Sequence, residues 1–177
     1  MGDAIYVLYG DILRYFLYSD YYERGKKLSV NVGSRHFKAP ELLLGYPWYD
    51  SSVDIWSAGC IFAALIFGDE PFFSGVYDED NLASIASVLG SEDILSWANN
   101  VSLPLSSSLR RAVGRRIPTP FSEFVTSKFA DHATPFALDL LSKILVADPR
   151  KRLSAKSCLL HPYFVAAEKK ADEDTTS

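Results

Sequence analysis

The chain has 177 residues, of which 48% are hydrophobic, and a formal net charge of -4. That length fits one domain with enough apolar side chain for a core. The acidic balance argues against a nucleic-acid binder, which needs an excess of Lys and Arg to meet phosphates.

The two cysteines, Cys60 and Cys158, have no metal-ligand spacing and read as small buried hydrophobes of a reducing compartment. The first residues show no basic stretch of a secretory signal. Met1-Gly2 does not continue into a myristoylation pattern, because Tyr6 stands where Ser or Thr is needed. The apolar run 55–67 is too short to span a bilayer. The expectation is a soluble protein of the cytoplasm and/or nucleus, with no membrane and no nucleic acid among its partners.

In chain order, residues 1–18 are apolar, with Ile5, Leu8, Ile12 and Phe16 at helical spacing. Residues 20–27 turn charged around Gly25, and 28–38 read as irregular. Pro40 suits the first turn of a short helix. Ser51 and Ser52 are candidate caps for a long helix over 53–67. That helix is apolar nearly all round, the mark of a buried one, and Gly68 and Pro71 end it. A second helix spans 79–89, with Leu82, Ile85, Ala86 and Leu89 on one face and Gly90 as its stop.

Residues 99–120 mix Ser, Pro, Gly and Arg without period and read as an extended connection. Pro135 starts a helix carrying Phe136, Leu138, Leu141, Ile144 and Leu145. Ser154 caps a last helix that ends near His161-Pro162. The tail 166–177 is charged and polar, and is expected to be disordered. There are no repeats and no strand-like alternation, so the fold class is all-α.

Three motifs in this order carry a resemblance. They are Ala39-Pro40-Glu41, then Asp54-Ile55-Trp56-Ser57-Ala58-Gly59-Cys60, then Asp148-Pro149-Arg150-Lys151-Arg152-Leu153 ahead of His161-Pro162-Tyr163-Phe164. Together they resemble the C-terminal, helical lobe of a eukaryotic protein kinase, from the end of the activation segment through the last helix. The run "VGSRHFKAPELLLGYPWYDSSVDIWSAGCIFAALIFGDEPFFSG" and the run "LASIASVLGSEDI" resemble the catalytic alpha subunit of casein kinase II. The likeness covers about residues 19–165 and leaves 1–18 as a divergent segment.

The resemblance implies a serine/threonine kinase that uses ATP and Mg2+ on acidic substrates. Yet the sequence shows no G-x-G-x-x-G run, no strand lysine and no catalytic loop. Tyr15 stands where the family holds magnesium with an Asp, and a phenol does not replace a carboxylate there. No catalytic residue is therefore assigned, no cofactor is expected for this chain by itself, and a truncated kinase domain without its own activity is the reading. The alternative is a non-catalytic binding module or a fragmentary gene product.

By the same resemblance Ser34, Arg35 and Lys38 are candidates to line a substrate groove for an acidic protein or peptide; read from the residues alone, the stretch is equally a solvated basic loop. Asn31 and Ala39 depart from the family's usual basic residue and Gly. Glu41 and Arg152 form a structural ion pair, and Asp54 is the anchor for the catalytic loop. The family's regulatory beta subunit is not an expected partner, because it docks on the N-lobe. Arg110, Arg111, Arg115 and Arg116 read as a solvated face, since no aromatics interleave them. His36, His132 and His161 lack metal spacing.

With the covering helices of the family missing, Trp56, Ile61, Phe62, Leu65 and Ile66 are expected to lack partners. Residues 1–18 are expected to patch that gap only in part, leaving an exposed apolar surface.

Overall fold

The computed structural model describes residues 26–165. Among them the secondary structure is helical, with seven α-helices and no strand. The helices are α1 (Pro40–Leu43), α2 (Ser52–Phe67), α3 (Asp78–Leu89), α4 (Ser91–Asn100), α5 (Ser107–Val113), α6 (Pro135–Ile144) and α7 (Ala155–Leu159). Single 3-10 turns lie at Arg35–Phe37, Phe121–Phe124 and Pro149–Lys151. None of the described helices is long and apolar enough to cross a membrane. The expectations for residues 1–18, for Tyr15 and for the tail lie outside the described residues.

The α2 helix is the axis. Val53, Ile55, Trp56, Ala58, Gly59, Cys60, Phe62, Ala63, Ile66 and Phe67 are all buried, as its all-round apolar pattern requires. It packs on α6 and on the turns at Arg35–Phe37 and Pro149–Lys151, while α3 packs on α1, α4 and α5. Gly59 sets the closeness of α2 to α6: a Cβ there would fall 2.5 Å from Ile144 Cγ2 and 2.9 Å from Leu145 Cδ2. Gly68 closes α2 in the left-handed conformation, with φ of 80°, which glycine adopts at no steric cost.

Several local expectations need correction. Neither Ser51 nor Ser52 caps α2 with its side chain. Asp50 does the work, its Oδ1 accepting the Ser52 N–H at 2.9 Å, because an Asx turn reaches the same orphan donors. The α3 helix begins at Asp78 rather than residue 79, with Asp80 Oδ2 accepting the Tyr77 N–H at 2.9 Å. Gly90 ends α3, but the chain re-enters a helix at once as α4, which buries Ile94, Trp97 and Ala98.

The stretch 99–120 is not one extended connection. Ser106 Oγ accepts the Leu109 N–H at 3.2 Å and starts α5. The chain then folds back, with Ser91 Oγ donating to Val113 O at 2.8 Å and accepting the Arg116 N–H at 2.9 Å. In α6 the buried face is Ala137, Leu140, Leu141 and Ile144, while Phe136 is half exposed. The expected patch on α2 is also largely absent. Trp56, Phe62 and Ile66 are fully buried, and only Ile61 and Leu65 of that set are half-buried. Trp56 stacks on Phe73 at 5.6 Å and Phe62 meets Tyr163 edge-on at 5.0 Å, so aromatics from the loop after α2 and from the C-terminal end supply cover.

Candidate functional site

Among the described residues, the Arg35–Phe37 turn gathers polar contacts from two helices at the surface. Its backbone closes through Phe37 N–H to Ser34 O at 3.0 Å and Lys38 N–H to Arg35 O at 3.1 Å. Ser57 Oγ, on α2, donates to Phe37 O at 2.9 Å. From the other side Asn81 Nδ2 donates to Arg35 O at 2.9 Å, and His36 Nε2 lies 3.3 Å from Gly75 O. The turn is thus clamped between the N-terminal halves of α2 and α3, and its side chains leave from a fixed backbone.

Two of those side chains converge. Arg35 Nε is 3.2 Å from Asp78 Oδ1 and Lys38 Nζ is 3.0 Å from Asp78 Oδ2, and Arg35 Nη1 also donates to Val76 O. Lys38 is the more enclosed, at 10% side-chain exposure against 43% for Arg35 and 39% for Asp78. Asp78 is the first residue of α3, where the helix dipole favours a carboxylate. Ser34 is exposed beside this cluster, and no described residue bonds its hydroxyl. Asn31, also exposed, bonds only locally, its N–H donating to Ser29 Oγ at 3.2 Å. Sequence reasoning did not single out Asp78. The acidic run 78–80 at a helix start was visible, but a partner 40 or 43 positions away was not.

The second polar constellation is internal. Arg152 Nη1 and Nη2 donate to Glu41 Oε1 and Oε2 at 2.7 and 2.6 Å, with both side chains fully buried. The remaining guanidinium hydrogens go to Val146 O at 2.8 Å, Ser52 O at 3.0 Å and Ala147 O at 3.4 Å. All five donors of the fork are therefore used, and the guanidinium lies 5.0 Å over the Trp56 ring. This side chain ties α1, the start of α2 and the segment after α6 together.

Asp54 lies half-buried in the first turn of α2. Its charge, together with burial as the larger cause, raises the pKa of Tyr49. His161 is buried. Its Nδ1 accepts the Tyr163 N–H at 3.3 Å and its Nε2 lies 3.0 Å from Asp139 Oδ2, a helix-end lock rather than a reactive group. Both cysteines are buried free thiols. Burial pushes the Cys158 thiol up to about 12 and drives Cys60 higher still, so neither is a nucleophile at neutral pH.

Arg110, Arg111 and Arg115 are exposed, whereas Arg116 turns back to cap α5, its Nη1 donating to Ala112 O at 2.7 Å and to Val113 O. Among the described residues no three His, Cys, Asp or Glu side chains converge on a point that could hold a metal ion. On the Arg35–Phe37 turn and just after it, the cations of Arg35 and Lys38 bracket one carboxylate, that of Asp78.

The family model described as Protein kinase domain matches residues 16–164.

Proposed function

This chain belongs to the protein kinase domain family, and on that footing we propose that it is the peptide-binding part of a serine/threonine kinase of the casein kinase II alpha type. The family reaction moves the terminal phosphoryl group of ATP, held with Mg2+, onto a Ser or Thr hydroxyl. The role assigned to these residues is narrower. Arg35 and Lys38 recognise an acidic side chain near that hydroxyl, with Ser34 at the edge of the groove and the exposed Val76 and Tyr77 beside it.

The observation that carries this reading is the convergence of Arg35 and Lys38 on the two oxygens of a single carboxylate. It supports a seat of the right size and charge for an Asp or Glu of a substrate, since charge-assisted bonds to a carboxylate are the strong ones. The likeness of the runs from Val32 and Leu82 to casein kinase II supports the same choice. Glu41 and Arg152 hold the adjoining helices in place, and Asp54 stands where the family anchors its catalytic loop, a loop that this sequence does not show.

Transfer by this chain alone is not part of the proposal, because no residue of the sequence matches the family's catalytic base or nucleotide lysine. The test uses the purified full chain, a fluorescein-labelled Glu/Asp-rich peptide with one serine, and ATP with Mg2+. The expected result is salt-sensitive binding that Arg35→Ala and Lys38→Ala both weaken, with no phosphate incorporated. Binding indifferent to both substitutions would overturn the groove. Heat-labile incorporation in contaminant-free protein would overturn the non-transferring role.

A further inference from the structure

We propose that Asp78 is an in-built competitor for the acidic side chain that the groove would take, so that this chain reads acidic peptides less strongly than its two cations alone would allow. The inference rests on the peptide-binding reading above and adds a residue that sets its specificity.

The geometry is that of an occupied seat. Asp78 spends both carboxylate oxygens on the groove, Oδ1 on Arg35 Nε at 3.2 Å and Oδ2 on Lys38 Nζ at 3.0 Å. An incoming Asp or Glu draws on the same two cations. Its carboxylate must either displace that of Asp78 or lie beside it as a like charge, and both lower the affinity. Arg35 Nη1 is further committed to Val76 O and Lys38 keeps only 10% side-chain exposure, so an incoming carboxylate that uses the remaining N–H groups, chiefly those of Arg35, lies close to the like charge of Asp78. Asp78 is also fixed: it opens α3, and Asn81 on the same helix bonds the Arg35 carbonyl at 2.9 Å. The competing carboxylate is therefore tethered at the donors rather than delivered by a mobile loop.

The neighbouring acids act differently. Asp80 Oδ2 accepts the Tyr77 N–H at 2.9 Å, which commits it to the helix cap. Glu79 is exposed and meets neither cation. Glu79→Gln therefore removes the same unit of charge as Asp78→Asn without freeing any donor, which separates occupancy from the general field.

The experiment is titration of the labelled acidic peptide into the full chain at low and physiological ionic strength. Asp78→Asn should tighten binding by roughly fivefold at low salt, the equivalent of releasing one well-placed exposed ion pair. The gain should shrink as salt screens it and vanish when Arg35→Ala or Lys38→Ala is added. Glu79→Gln should give a clearly smaller gain. Asp78→Ser, another good helix-start residue, repeats the test if the Asn variant melts early.

Equal gains from Asp78→Asn and Glu79→Gln would overturn the proposal in favour of a general field. Unchanged or weaker binding by Asp78→Asn, with wild-type binding still dependent on Arg35 and Lys38, would make Asp78 an organiser of the cations. That result overturns the competitor role and leaves the peptide-binding reading standing. Binding by neither protein, or binding indifferent to Arg35 and Lys38, removes both.

Discussion

Arg152 is a residue whose loss should be felt across the molecule. Its fork satisfies two carboxylate oxygens and three carbonyls in a fully buried position. Arg152→Ala strands the Glu41 charge without water, and breaking a buried pair from one side costs about 3–5 kcal/mol. We expect a large fall in melting temperature, and a similar one for Glu41→Ala. Arg152→Lys should rescue little, because a point ammonium does not reach five acceptors in one plane. A circular-dichroism melt unchanged by Arg152→Ala would contradict this account. Asp148 gives a residue-scale prediction in pH. Side-chain hydrogen bonds from Arg150 hold its carboxyl below the usual carboxylate range, with Arg150 Nε and Nη2 at 2.9 and 2.8 Å. Its folded pKa is thus lower than its unfolded one. The stability it contributes is complete above the unfolded value, about pH 4, and disappears as pH falls through the folded value. Asp148→Asn should therefore lower stability at neutral pH, and denaturant melts of the two proteins should draw together below about pH 4. Curves that stay parallel down to the acid limb would refute the linkage.

At the scale of elements, the contact of α2 with α6 depends on the missing side chain of Gly59. Alanine at a helix interior normally gains about 1 kcal/mol over glycine through propensity. Here its Cβ would meet Ile144 Cγ2 at 2.5 Å, and Ile144 is a buried, β-branched residue that cannot swing aside cheaply. Overpacking of this kind costs about 1–3 kcal/mol, so the clash wins. Gly59→Ala should lower the melting temperature, and Gly59→Val should lower it further. A stabilised alanine variant would show that the two helices can move apart. The same scale separates the elements that sequence reading found from those it missed. The α2 and α6 helices announce themselves through long apolar periodicity and a proline or glycine at a boundary. The α4 helix follows Gly90 with no intervening loop, so the stop signal for one helix hid the start of the next. The α5 helix is one serine cap and seven residues, with a single buried side chain, and is held by contacts to α3 and α4 rather than by its own pattern.

Taken as a whole, the described part of the chain buries Trp56, Trp97, Phe62 and Phe73 completely and joins them into one apolar cluster. Burial of a large apolar side chain stabilises by roughly 1.5–3 kcal/mol, so this cluster is the main term set against the entropy of ordering the chain. The expectation of a broad exposed face on α2 gives way to one of partial exposure at Ile61 and Leu65. The full chain should therefore unfold in a single thermal transition with little hydrophobic-dye binding before it. Strong dye binding by the native protein, with self-association in sedimentation, would restore the exposed-face view. The cysteines offer an independent check: with both thiols buried and raised in pKa, alkylation at neutral pH should wait on unfolding.

The all-helical class, the buried character of α2 and the ends marked by Gly68 and Pro135 were legible in the amino-acid order alone. Each depends on residues within a few positions of one another, where apolar period, caps and breakers act. The Glu41 and Arg152 partnership was legible only through a family resemblance, since 111 positions separate them and no local rule joins such a pair. The engagement of Arg35 and Lys38 by Asp78 was decided by the tertiary structure. Read along the chain, the two cations are a basic turn and Asp78 is a helix-start acid, each complete by local standards. They meet because the turn is wedged between α2 and α3, and that placement follows from the apolar packing of the helices, which carries no record of the charges it brings together.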